Sequence, residues 1–168
     1  MKLSYHIIDP TGNVTILVET PVARETQPAV AAALLSAEPA AEQVGFLESP
    51  GGDCCIRVRM AGGEFCGNAT LSAAALWSQK SGETAVTVGM SGAEKPLAVT
   101  LQRQESYFDA VVAMPLPDAV TLREFRLDER TFTLPVIFLP GITHLLLTEP
   151  LDKDTLAEDA TENFNLLC

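Results

Sequence analysis

The chain has 168 residues, 47% of them hydrophobic, which suits a packed core of one domain or one and a half. Its net charge of -11 argues against nucleic acid and anionic membrane surfaces as partners. No apolar run approaches the ~20 residues of a membrane span. The N-terminus, Met1-Lys2-Leu3-Ser4-Tyr5-His6, does not read as a signal peptide, and the cysteines, Cys54, Cys55, Cys66 and Cys168, lack metal-site spacing. Reduced thiols in a cytoplasm, with no metal, are the expectation.

Leu3 to Ile8 reads as a strand and Asp9-Pro10-Thr11-Gly12-Asn13 as a turn. The β-branched run Val14 to Val18 is the returning strand. Asn13 is either a turn residue that tolerates unusual dihedrals or a polar group offered to a ligand. Thr26 to Ala37 reads as a surface helix, with Thr26 as cap, Pro28 in the first turn, and Val30, Leu34 and Leu35 on one face. Glu42 to Glu48 is a short strand that ends at the turn Ser49-Pro50-Gly51-Gly52. Cys54 to Met60 alternates with period two, placing Ile56, Val58 and Met60 on one side and Arg57 and Arg59 on the other. The adjacent Cys54 and Cys55 read as structural, since neighbouring cysteines bridge only under strain.

Met60-Ala61-Gly62-Gly63-Glu64-Phe65-Cys66-Gly67-Asn68-Ala69-Thr70 is a strand end, a glycine turn and a cysteine at the mouth of an Ala-rich helix that runs to Ser81-Gly82. A helix start has N–H groups without intrahelical partners and a partial positive charge, which together favour carboxylates and thiolates. Up to ~2 kcal/mol of such stabilisation would bring a thiol from ~8.5 to about 7, where it can act as acid or base. The other reading of Cys66 is an inert buried cysteine. The helix, with Leu71, Ala74, Ala75 and Trp77, is apolar on most sides and is expected to be buried.

Strands follow at Ala85 to Val88, Leu97 to Leu101 and Tyr107 to Met114, before Pro115-Leu116-Pro117 breaks the pattern. Val120 to Leu139 reads as two strands around a turn near Asp128-Glu129-Arg130. Pro140-Gly141 is a further turn, Ile142 to Thr148 a strand, and Leu151 to Asn165 a short acidic helix. These elements give an α+β chain with domains at 1–118 and 119–168.

Gly62-Gly63-Glu64-Phe65-Cys66-Gly67-Asn68-Ala69 resembles the first cysteine motif of the diaminopimelate epimerase superfamily, the cofactor-independent amino-acid racemases and epimerases. Asp9 to Asn13 is similar to that family's early Gly-Asn turn, and Gly141-Ile142-Thr143-His144 to the Gly-Asn-Pro-His turn that begins its second lobe. The Gly-Glu-Phe-Cys-Gly-Asn-Ala form is closer to histidine-racemase-like members. The resemblance implies a curved, mainly antiparallel sheet wrapped around a central helix, with the second lobe incomplete in this chain. It implies Cys66 as a catalytic acid/base, and Asn13, Gly67, Asn68 and His144 as substrate-binding residues. Lysine-pathway epimerases carry a substrate-contacting Asn near Met60, which this chain lacks, and Ile142 replaces the Asn of the second-lobe motif.

Inverting an α-carbon requires one group to remove the α-proton and another to deliver a proton on the opposite face. In the family this is done without cofactor by two cysteines, one from each lobe. No second Gly-rich cysteine turn follows His144, and Cys168 has neither a glycine turn nor a helix after it. The expectation is therefore an amino-acid racemase or epimerase of histidine or diaminopimelate type, incomplete and inactive as this chain alone. Its expected ligand is an amino acid as a small molecule, with a homodimer or a partner chain supplying the rest. Two alternatives stand: a non-catalytic fragment that binds amino acids or dimerises, and a hydroxyproline-dehydratase or isomerase type of the same superfamily.

Overall fold

The structure is a computed structural model that describes residues 2–127, 130–139 and 142–150. The expected turn at Asp128-Glu129, the Pro140-Gly141 turn, the 151–165 helix and Cys168 lie outside the described residues. The chain divides into two compact units, Met1–Met114 and Pro115–Cys168.

In the first unit seven strands form one sheet: β1 (Tyr5–Ile8), β2 (Thr15–Val18), β3 (Gln43–Glu48), β4 (Ile56–Met60), β5 (Ala85–Met90), β6 (Leu97–Arg103) and β7 (Phe108–Val112). They lie side by side in chain order. Most neighbours are antiparallel, but β2 pairs β3 in parallel, and so does β4 with β5. A parallel pair needs a long crossover, and each here contains a helix: α1 (Gln27–Ala37) between β2 and β3, and α2 (Gly67–Ser81) between β4 and β5.

The two helices take opposite faces. Ile16, Val18, Val44 and Phe46 pack with Ala31 and Leu34 of α1, whereas Leu17, Val58, Met60, Val86 and Val88 pack in the cluster around Ala69, Ala73, Ala74 and Leu76 of α2. Alternation along a strand sends successive side chains to opposite faces, so β2, with helices on both sides, is buried throughout. On β4 the same alternation buries Ile56, Val58 and Met60 and leaves Arg57 and Arg59 partly exposed.

Helix α2 contacts β2, β4, β5, β6 and β7. A flat sheet cannot present five strands to one rod, so the sheet curls around α2. Small residues make this close wrap feasible: Ala69, Ala73 and Ala74 are 0% exposed. Gly82 ends the helix in the left-handed conformation at φ 82°, and its N–H donates to the Ser78 carbonyl. Close to this end, Lys80 Nζ meets Glu19 Oε1 at 2.8 Å and ties α2 to the segment after β2.

Thr26 does not cap α1 through its side chain. Its hydroxyl donates to the Ala23 carbonyl at 2.8 Å, within a short 3-10 turn that leads into the helix. The competing bond is local and draws the hydroxyl away from the helix N–H groups.

The second unit holds a three-stranded antiparallel sheet, order β10-β9-β8, from β8 (Ala119–Leu127), β9 (Arg130–Leu139) and β10 (Ile142–Leu145). Phe125, Phe132, Leu134 and Val136 form its core.

Substituting Ala73→Leu enlarges a side chain where there is no space, and is expected to cost about 1–3 kcal/mol. Urea unfolding of the variant should show a lower midpoint with an unchanged slope.

Candidate functional site

Cys66 is the N-cap of α2, in extended conformation at φ -141° and ψ 112°, and its carbonyl accepts the first helical bond from Thr70 N at 3.1 Å. Its sulfur stands where a Ser or Asp oxygen usually caps a helix. Ala69 N–H donates to Sγ at 3.3 Å, and the backbone N–H of Asn68 is also directed at it. The thiol donates to Gln43 Oε1 at 3.0 Å.

Gln43 begins β3 and brings the early turn to the cysteine. Its Nε2 donates to Asn13 Oδ1 at 2.5 Å and to Thr15 Oγ1 at 2.7 Å, while Asn13 Nδ2 donates to Glu42 Oε2 at 2.9 Å. The parallel register, with Thr15 opposite Gln43, places these side chains together. Asn13 is held at the end of its turn by local chemistry. Gly12 N–H donates to Asp9 Oδ1, and Thr11 and Gly12 both have positive φ, 61° and 93°, which favours a glycine at the second position.

The loop before Cys66 is held by a turn 27 residues later in the chain, where Ser91 Oγ donates to the Glu64 carbonyl at 2.7 Å. The same hydroxyl accepts from Met60 N at 2.9 Å. Gly92 has φ 72°, and a Cβ there would collide with Phe65 N. Only glycine allows that approach. Gln43, Ser91 and Gly92 are the residues that sequence reasoning missed. The available signals were a lone glutamine opening an otherwise apolar strand and a Ser-Gly pair directly after β5.

Gly67 lies under Met114, whose Sδ would be 3.3 Å from an added Cβ. Met60, at the place of the lysine-pathway Asn, is 1% exposed and belongs to the core. His144 lies on β10 opposite Ile137, in the second unit, and is exposed. The first unit thus brings Asn13, Cys66, Gly67 and Asn68 to one end of α2. Cys54 and Cys55 are free thiols at the approach to β4. Among the described residues, no group of three His, Cys, Asp or Glu side chains could hold a metal ion, and no helix is long and apolar enough to cross a membrane.

The expected lowering of the Cys66 pKa is corrected by this geometry. Burial pushes the thiol up, the N–H groups of Ala69 and Asn68 pull it down, the nearby Glu64 charge pushes it up again, and the Gln43 side chain, to the extent that it offers its NH2, pulls it down, with a net rise. The helix-start argument counts the donors correctly but omits desolvation, which disfavours the charged form.

The chain matches the family described as "Histidine racemase CntK N-terminal domain" over residues 2–167. It is 27% identical over 163 residues to histidine racemases from two strains of Fusobacterium nucleatum subsp. nucleatum, covering 94% of this chain and 59% and 58% of those proteins. The chain therefore spans less than two thirds of the length of these relatives. A predicted epimerase from Pseudomonas aeruginosa has a similar fold, with a TM-score of 0.63 at 19% identity over 98% of this chain and 65% of that one.

Two outcomes follow from the site geometry. Gly92→Ala should destabilise the chain by about 2–4 kcal/mol, because the left-handed backbone and the contact with Phe65 N both oppose a side chain, and urea titration reads it. The folded chain keeps the Cys66 proton to higher pH than the unfolded chain does. Stability from the neutral thiol is therefore full below the ordinary thiol pKa and declines as pH rises through the raised value. Denaturant midpoints from pH 7 to 10 should fall less steeply for Cys66→Ser than for the wild type.

On a family match that runs along nearly its whole length, together with an α+β sheet curled around a cysteine-capped helix, the chain belongs to the histidine racemase CntK N-terminal domain family.

Proposed function

We propose that this chain carries one half of a cofactor-independent amino-acid racemase or epimerase, and that histidine is the first substrate to test. The supporting observation is Cys66 at the N-cap of α2, held between backbone donors and Gln43, in a chain whose relatives are named histidine racemases. In this reading Cys66 exchanges a proton with one face of the substrate α-carbon. One group breaks the α C–H bond and takes the proton, leaving a carbanion. The other delivers its own proton to the opposite face and is left as the conjugate base.

The first turn of α2, at Gly67 and Asn68, would offer N–H groups to the substrate carboxylate, where they stabilise the negative charge that develops on proton removal. Asn13 would contact the substrate's amine or carboxylate, and His144 is a proposed substrate-binding residue of the second unit. The second acid/base is proposed to lie outside the residues of this sequence. No PLP, flavin or metal is assigned a role, and a cytoplasmic location is proposed to go with the reduced thiols. Domains at 1–118 and 119–168 remain the proposed division.

A site with one proton-transfer group binds but does not turn over. L- or D-histidine should slow alkylation of Cys66 by iodoacetamide severalfold while leaving Cys54 and Cys55 unaffected, as read by peptide mass mapping. The chain alone in D2O should incorporate no deuterium at the histidine α-carbon. Lack of protection by histidine and by diaminopimelate would overturn the amino-acid reading. Deuterium incorporation at enzyme-like rates would overturn the placement of the second acid/base outside these residues.

A further inference from the structure

Every hydrogen bond from Glu42 to Cys66 has its direction imposed by its neighbour. The Glu42 carboxylate can only accept, so Asn13 must turn its NH2 toward it, at 2.9 Å. This leaves Asn13 Oδ1 toward Gln43, which must present its own NH2, at 2.5 Å. Thr15 supports the same orientation from a second side. Its hydroxyl hydrogen is given to the Asn13 backbone carbonyl at 3.2 Å, so Oγ1 accepts from Gln43 Nε2 at 2.7 Å. With both amide hydrogens committed, Gln43 has only its oxygen left for the sulfur, 3.0 Å away.

We propose that Glu42, Asn13 and Thr15 lock the Gln43 amide with its oxygen on Cys66, making Gln43 the positioning residue that holds this sulfur as a hydrogen-bond donor. Gln43 could pull the thiol pKa down only by turning its NH2 to the sulfur, which its bonds to Asn13 and Thr15 prevent, so a thiol satisfies that arrangement and a thiolate does not. An amide oxygen facing a thiolate is repelled, and turning the amide over would break both of its donor bonds. The free site therefore presents an acid on the Cys66 face. This deepens the racemase reading and rests on it for one consequence: in the free state Cys66 is the proton donor, and the first α-proton is taken by the other group. The preferred entering enantiomer is the one whose α C–H bond points away from Cys66.

The charged surroundings are few. Glu64, in the loop before α2, adds a negative field at the sulfur. The first turn of α2 has no acidic residue, Arg59 of β4 lies against Gly63, and Glu42 reaches the sulfur through Asn13 and Gln43. An effect of Glu42 on Cys66 can therefore be separated into a part carried by the amides and a part carried through space.

The test is the pH dependence of Cys66 alkylation by iodoacetamide, resolved by peptide mass mapping, in wild type, Gln43→Met, Glu42→Gln and the double variant. Loss of the facing oxygen should lower the midpoint in Gln43→Met by about half a unit to one unit. Glu42→Gln lets the chain of bonds reverse and should also lower it. In the Gln43→Met background Glu42→Gln should add nothing. An unchanged or higher midpoint in Gln43→Met overturns the proposal, and so does an equal Glu42→Gln shift in both backgrounds, which would be plain charge repulsion. Thr15→Val, which removes one acceptor and keeps the shape, should shift the midpoint the same way and serves if Gln43→Met does not fold. The measurement needs no turnover. Amide-dependent midpoints without histidine protection would sink the racemase reading alone, and protection without them would sink the relay alone.

Discussion

Helix α2 touches five strands of one sheet, and its side chains must be small for the strands to close in. With Ala69, Ala73 and Ala74 fully buried, the sheet can curl until β2 and β7 both touch the same helix. That wrap fixes the position of the helix start relative to β2 and β3. Thr15 and Gln43 face each other across the parallel pair, and the first residue of that register delivers the glutamine to the sulfur. The chemistry of Cys66 thus depends on how tightly alanines let a sheet wind.

Opposed forces set the state of the sulfur. A helix N-terminus favours an anion by up to ~2 kcal/mol in a partly buried geometry. Burial acts the other way, and here it is the largest influence, so the thiol keeps its proton in the free chain. In the proposed racemase such a residue would have to give a proton as readily as take one. A fully activated thiolate would be a strong base and a poor acid, whereas a neutral thiol beside two amide N–H groups can be ionised once its proton has a destination.

Much of this was legible before the structure. The strands of the first unit, the buried character of α2, its start within Cys66 to Asn68 and its stop at Gly82 all follow from periodicity, composition and glycine placement. What was not legible depended on contacts between distant segments. Gln43 opens a strand and looks like a solvent-facing residue, yet the parallel pairing turns it toward Asn13 and Cys66. Ser91 and Gly92 read as an ordinary turn, but they are the support beneath residues 64 and 65. The pKa of Cys66 was misjudged for the same reason: a sequence displays the helix that follows a cysteine and hides the walls around it. Thr26 failed as a side-chain cap because a nearer carbonyl took its hydroxyl.

The brace between Ser91 and Glu64 has a consequence for biosynthesis. A ribosome delivers residue 64 well before residue 91, and the intervening chain includes all of α2. Until β5 has emerged and paired with β4, the segment leading to Cys66 lacks its tether. The loop before this thiol is fixed by an element made after it, so Cys66 takes its final setting late in the synthesis of the first unit.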